Sequence, residues 1–241
     1  MIALAATSPT TPALPLLDPA RLDRPDTLIR LEPFPFLAAH GQLPESARAD
    51  FDRDFPKYSG AGFFPYNEKE CGPSIRTLVE TMASPAFANA VGGKLGIANL
   101  GQFPTMVSIC RHLSKRHGTI HTDSKCTVAT GLVYFNTEWR DTGGGCLRFL
   151  AKIDDIDATV APEVQPVYGE FVLFKRADNS FHGFLPAEGE RRVIKVAWLT
   201  SEEEKLRKTR RGNATRFFKR LAGGLDRLYG AHRDRSAAHR N

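Results

Sequence analysis

The sequence predicts an α+β protein in which helices come first and a barrel-like double sheet follows. Three observations carry the prediction. Helix-start signals lie ahead of Gly92-Gly93. Beyond Gly101, short runs rich in Val, Ile, Phe and Thr alternate with turn residues, which is the pattern of strands. From Ser201 the helical signal returns, with Glu202-Glu203-Glu204 at its start and Lys and Arg further along, an order that suits the helix macrodipole.

Residues 1–25 read as an irregular, flexible arm, with prolines at 9, 12, 15 and 19. A short strand is expected at 28–31, and Pro33 and Pro35 limit helix after it. Residues 44–54 read as a helix that stops before Pro56. The stretch 57–73 mixes Gly, Pro and aromatic residues without a period and reads as a loop. Helix is predicted over 74–82. A second helix starts at Ser84-Pro85, with Ser as cap and Pro at the first helical position, and runs to about 91. Strands are predicted at 105–112, 125–136, 146–150, 171–174 and 192–199, with Gly143-Gly144-Gly145 as the turn into the third.

With 41% apolar and 25% charged residues in 241, the composition is that of a globular domain with additions at its ends. No apolar run approaches the ~20 residues that span a bilayer. The N-terminus has no basic region ahead of its apolar residues, so a secretory signal is not expected and a cytoplasmic location is. Cys71, Cys110, Cys126 and Cys146 show no CxxC spacing and read as buried thiols of a reducing compartment. The net charge of +6 is uneven. Residues 200–241 hold 12 Lys/Arg against 5 Asp/Glu, a net of +7, and the body is close to neutral at −1. Such a tail suits an acidic polymer or an anionic membrane, although a solvated helix pair is the plainer reading. Phe217, Phe218, Leu221, Leu225 and Leu228 give it an apolar stripe at helical spacing.

The chemistry is concentrated at His121-Thr122-Asp123. On a strand, residues i and i+2 share a face, so an imidazole and a carboxylate aim at one point. They supply two of the three ligands of a 2-His-1-carboxylate triad, which leaves open positions on Fe(II). His182 follows the apolar run 171–174 and is the candidate third ligand. Arg192, ten residues beyond His182, opens an apolar strand, and its planar fork can grip a carboxylate.

Taken together, His121-x-Asp123, Tyr134-Phe135-Asn136 with Trp139, Gly144-Gly145-x-Leu147, Phe174, Phe181-His182-Gly183 and Arg192 resemble the Fe(II)/2-oxoglutarate dioxygenase superfamily, most nearly its prolyl-hydroxylase-like branch. The resemblance covers roughly residues 100–199. It implies a double-stranded β-helix (jelly-roll) core with flanking helices, a dioxygenase domain over 26–200, a basic helical tail over 201–241, and hydroxylation of a substrate with release of succinate and CO2. It implies Fe(II) held by His121, Asp123 and His182, and 2-oxoglutarate as co-substrate beside O2, with ascorbate as a candidate reductant. Arg192 matches the residue that binds the distal carboxylate of 2-oxoglutarate. Tyr134 matches a tyrosine that hydrogen-bonds the same group, and Arg111 falls near the position that meets its other end. Asp123 sets the chain apart from the related halogenases, which lack this carboxylate. Trp198 stands where the DNA-alkylation-repair branch has a second arginine, so no specific nucleic acid is expected. A non-oxidative cupin-like metalloprotein and a binding module built on the basic tail are the alternatives. The substrate is not written in the sequence. The loops 57–73 and 176–180 are expected to line the entrance.

Overall fold

The computed structural model describes residues 16–140 and 144–221, with side chains to residue 211. Of the N-terminal arm, Pro19–Asp23 forms a 3-10 turn capped by the Asp18 side chain, and Leu17 and Leu22 are buried in the core. The arm's end is therefore docked rather than free. Two isolated leucines carry no period, which is why the sequence does not announce it.

Strand β1 (Leu28–Arg30) pairs antiparallel with β2 (Phe36–Ala39), a strand the flanking prolines concealed. Helix α1 (Arg48–Asp54) follows a 3-10 turn and ends before Pro56. The predicted loop 57–73 contains β3 (Phe63–Pro65), an edge strand too short to show alternation. Helix α2 (Pro73–Ala83) buries Ile75, Leu78, Val79 and Met82, which share one face at helical spacing. Helix α3 (Pro85–Gly93) opens as the sequence predicts, with the Ser84 hydroxyl accepting from the Phe87 amide at 3.2 Å.

The remaining elements are β4 (Thr105–Leu113), β5 (Thr127–Tyr134), β6 (Arg148–Phe149), β7 (Phe171–Lys175), β8 (His182–Gly183), β9 (Gly189–Leu199) and α4 (Glu202–Leu221). Seven strands form one antiparallel sheet in the order β1-β2-β7-β5-β9-β4-β3. A small second sheet, β6-β8, is extended by antiparallel bridges at His121–His182, Leu147–Val164 and Leu150–Thr159. This is the α+β, jelly-roll arrangement: a broad sheet, a narrower one facing it, and helices on the outer side.

Two apolar clusters define the faces of the broad sheet. On the outer face, Val133, Phe135, Leu173, Ile194, Val196 and Trp198 pack with helices α1 to α3. On the inner face, Leu132, Tyr134, Val172, Phe174, Val193 and Cys110 pack toward Leu147 and Phe149 of the small sheet. Strand β9 lies between β4 and β5 and is buried on both faces. Helix α4 packs over β3 and touches β4 and β9. All four cysteines are buried, and none forms a disulfide among the described residues. No helix among the described residues is long and apolar enough to cross a membrane. The stripe at Phe217, Phe218, Leu221, Leu225 and Leu228 falls on side chains outside those described.

Candidate metal centre

His121 and Asp123 do not lie on a strand as the sequence suggests. His121 makes one bridge with His182, each amide donating to the other's carbonyl at 3.0 Å, and Asp123 follows in irregular chain. The convergence survives. The three side chains bring one donor atom each within 4.8 Å of one another, and the two imidazole rings stand 4.4 Å apart. Metal–ligand bonds of about 2.1 Å would draw such atoms to about 3 Å, a small inward rotation. Gly183 explains how the chains come so close. A Cβ there would meet the Ile120 Cα at 3.1 Å and the Thr119 carbonyl oxygen at 3.1 Å.

Both imidazoles are oriented the same way. Nδ1 of His121 lies 3.0 Å from the carbonyl of Thr119, and Nδ1 of His182 lies 2.9 Å from that of Ser180. A carbonyl only accepts, so each Nδ1 carries the proton and each Nε2 presents a lone pair. The Thr130 hydroxyl donates to Oδ2 of Asp123 at 2.5 Å and leaves Oδ1 for a metal. Two neutral imidazoles and one carboxylate are donors suited to Fe(II) with open positions.

The electrostatics hold this state ready. Burial, reinforced by the charge of His121, lowers the His182 pKa to about 4 against the pull of Asp123. Burial raises Asp123, but His182, Lys195, His121 and the Thr130 hydrogen bond outweigh it and leave its pKa at about 2. The pH dependence follows. As pH falls below the unfolded value of 6.5, the unfolded chain protonates at His182 before the native one does. Metal-free protein should hold its stability above that pH and lose on the order of 1–3 kcal/mol toward pH 4. Asp123 adds a loss at lower pH, between 3.8 and about 2. Urea midpoints measured across this range check it. A His182→Gln protein should lack the upper step, and a wild-type profile flat from 6.5 to 4 would contradict the assignment.

Arg192 requires a correction. Its guanidinium points to the outer face, pairs with Asp52 of α1 at 2.5 Å and lies 5.8 Å over the Phe55 ring. It is on the wrong side of β9 to meet anything bound at the metal centre. Its neighbour Arg191 is on the inner face. Only 3% exposed, it donates from Nε to the Gly145 carbonyl at 2.9 Å and from Nη2 to the Tyr134 hydroxyl at 3.1 Å, and it stacks over Phe184. No carboxylate among the described residues forms a salt bridge with it. Gly145 takes a φ of +82°, which a side chain would strain, and so turns its carbonyl to this arginine. Tyr134 is buried on the inner face, and its hydroxyl accepts from Arg191. Burial raises its pKa against the opposing charge of Arg191, so it stays a phenol able to donate. Arg111 is held by Glu190 at 2.9 Å and by the Pro56 carbonyl at 3.2 Å.

Asn136 explains how two adjacent arginines are parted. Its side chain accepts from the Arg192 amide and donates to the Glu190 carbonyl, both at 2.8 Å, which clamps the start of β9. Lys195 is a further inner-face residue, on the same side of β9 as Arg191 and Val193. It was the one charge inside an apolar run, and that was the available signal.

Two imidazoles and one carboxylate converging inside a jelly-roll are a donor set that non-haem Fe(II) oxygenases use. Residues 107–200 match the model of the 2OG-Fe(II) oxygenase superfamily. The matched stretch contains His121, Asp123 and His182. Among solved structures, the chain is similar to a prolyl-4-hydroxylase from Pseudomonas putida, at 19% identity and a TM-score of 0.48, over 69% of this chain and 92% of that one. It is also similar to a prolyl hydroxylase from Trichoplax adhaerens, in complex with a hypoxia inducible factor oxygen degradation domain peptide fragment. The values there are 16% identity, a TM-score of 0.47, and coverage of 71% and 86%. A third is the viral collagen prolyl hydroxylase of Paramecium Bursaria Chlorella virus-1 in its 2-oxoglutarate complex, at 16%, 0.47, and 68% and 93%. No curated protein matches the sequence.

Proposed function

We propose that the protein hydroxylates its substrate with Fe(II) held by His121, Asp123 and His182, and that Arg191 with Tyr134 binds the distal carboxylate of 2-oxoglutarate. The observation that carries this reading is the Arg191 guanidinium, buried on the inner face with no anion beside it among the described residues. A buried charge without a partner costs several kcal/mol, and a carboxylate arriving with the co-substrate would offset that cost. The dioxygenase domain is proposed to span residues 26–200, with 201–241 as an appended basic segment.

The chain's own part in the reaction is positioning. Nδ1–H bonds to Thr119 and Ser180 lock the imidazoles with Nε2 facing inward. Thr130 holds one oxygen of Asp123, so the other is the metal's. Arg191 accepts nothing and offers its fork, while the Tyr134 hydroxyl, already accepting from Arg191, has its proton free for the same carboxylate. Phe149, Phe174 and Leu147 surround the space with apolar surface and limit water. His121, Asp123 and His182 would hold Fe(II), which would supply the O2 activation needed for oxidative decarboxylation of 2-oxoglutarate to succinate and CO2 with oxygenation of the substrate.

The direct test is oxygen uptake and succinate formation by purified protein given Fe(II) and 2-oxoglutarate, alone and with a substrate mixture analysed by mass spectrometry. Succinate that depends on both additions is expected. Metal binding without any 2-oxoglutarate turnover would favour the cupin-like alternative.

A further inference from the structure

Beside the metal donors, the inner wall of the broad sheet carries two polar groups that the reading above leaves unused. Lys195 and Ser108 are direct partners across β9 and β4. Ser108 shares a face with Cys110, and Lys195 with Val193, both members of the inner cluster. The Ser108 hydroxyl belongs to a residue only 6% exposed, and it has no hydrogen-bond partner among the described residues. Lys195 makes no salt bridge among the described residues. Its ammonium lies 4.7 Å from the centre of the Phe63 ring, on the edge strand β3 where the entrance is expected. It feels the Asp123 carboxylate and, from α4, the like charge of Lys208. Lys208 itself reaches back to the Thr130 strand, donating to the Thr127 hydroxyl at 3.3 Å. A buried hydroxyl and an unpaired ammonium on one rung make a ready cradle for an anion.

Charge points the same way. Asp123 can serve Lys195 only while no metal claims it. With Fe(II) bound and 2-oxoglutarate as a dianion, Arg191 and Lys195 against Asp123 leave the site with one positive charge over. A buried excess of that kind is relieved by one anionic group on the remaining ligand, which is the substrate.

We propose that Lys195 and Ser108 form a carboxylate-binding subsite beside the metal centre, so that the oxygenated substrate carries a carboxylate close to the carbon that reacts. The proposal rests on the oxygenase reading and names the substrate class for it. The carboxylate is either the α-carboxylate of a free amino acid or the side chain of an acidic peptide, and the probes separate these sources.

The experiment uses the full chain loaded with Ni(II) and saturating 2-oxoglutarate, and reads binding by calorimetry. Three matched probes are L-glutamine, N-acetyl-L-glutamic acid α-amide and the neutral N-acetyl-L-glutamine amide. One of the two acids should bind at least about tenfold more tightly than the neutral probe, the worth of one charge-assisted hydrogen bond. Preference for the first acid assigns a free amino acid, and for the second an acidic side chain. Lys195→Met should erase the margin, Ser108→Ala should reduce it, and Lys195→Arg should keep it. Equal binding of all three probes would overturn the proposal, as would a margin that survives in Lys195→Met. A Lys195→Met protein that loses 2-oxoglutarate rather than the acid probe would assign the lysine to the co-substrate instead. Because binding to the Ni(II) form needs no turnover, a wild-type protein that forms no succinate would count against the oxygenase reading alone.

Discussion

The Arg191→Leu protein should require about 100-fold more 2-oxoglutarate than wild type for half-maximal succinate formation, the effect of removing a charged, two-pronged contact to a buried carboxylate. The leucine removes the fork together with its bonds to Gly145 and Tyr134 and its stacking on Phe184, so a thermal melt accompanies the assay. Arg192→Leu is the matched control. It breaks the pair with Asp52 on the outer face, should cost about 1 kcal/mol of stability or less, and should leave the 2-oxoglutarate requirement within about twofold. The two variants differ by one position and make opposite predictions. A large rise in Arg192→Leu with none in Arg191→Leu would return the role to the residue that the spacing first suggested. Tyr134→Phe should give a smaller rise, about tenfold, because it removes one neutral donor and leaves the charge in place.

Asp123→Ala should lower succinate formation by about a thousandfold or more. It removes the only anion of the donor set, and two neutral imidazoles hold a divalent ion far more weakly. Two measurements are needed together. Loss of turnover with unchanged metal binding would place the carboxylate in another role. Normal turnover with iron would remove Asp123 from the centre altogether. His182→Ala should be as severe and should also loosen the fold, because His182 is 6% exposed and its ring packs 4.5 Å from that of Phe174.

Much of this was legible in the sequence, and for identifiable reasons. Helices α2 and α3 announce themselves through an apolar face and a Ser-Pro start. Strands β4, β5, β7 and β9 are long enough to show their composition. The short strands β3 and β8 are set by their partners, Cys110 to Ser108 in one case and the 148–149 pair in the other, and two or three residues hold no period of their own. The candidate metal set drew notice in the sequence because two of its residues are near neighbours and the third follows a recognisable strand. Geometry did the rest without the strand that was expected at 121–123. A bridge to His182 and paired Nδ1 bonds hold the rings instead. The choice between Arg191 and Arg192 was hidden for a different reason. A strand buried on both faces reads as one apolar run, so Val193-Ile194 does not disclose which parity looks inward. Lys195 discloses it, since a charge within such a run belongs on the face that opens to a ligand.

The indole of Trp198 helps to fix which arginine faces the inner side of the sheet. It sits on the outer face above Gly131, where even an added methyl would come within 3.2 Å of the ring. Sliding β9 by one residue would exchange the two arginines, but it would also swing the indole and Ile194 into the space around the metal donors. No alternative register is open to the strand, and the helices enforce this from the far side. Bulk at the end of β9 thus acts as the key that lets only one of two chemically identical side chains through, and replacing Trp198 by a small residue removes the penalty against the exchanged strand.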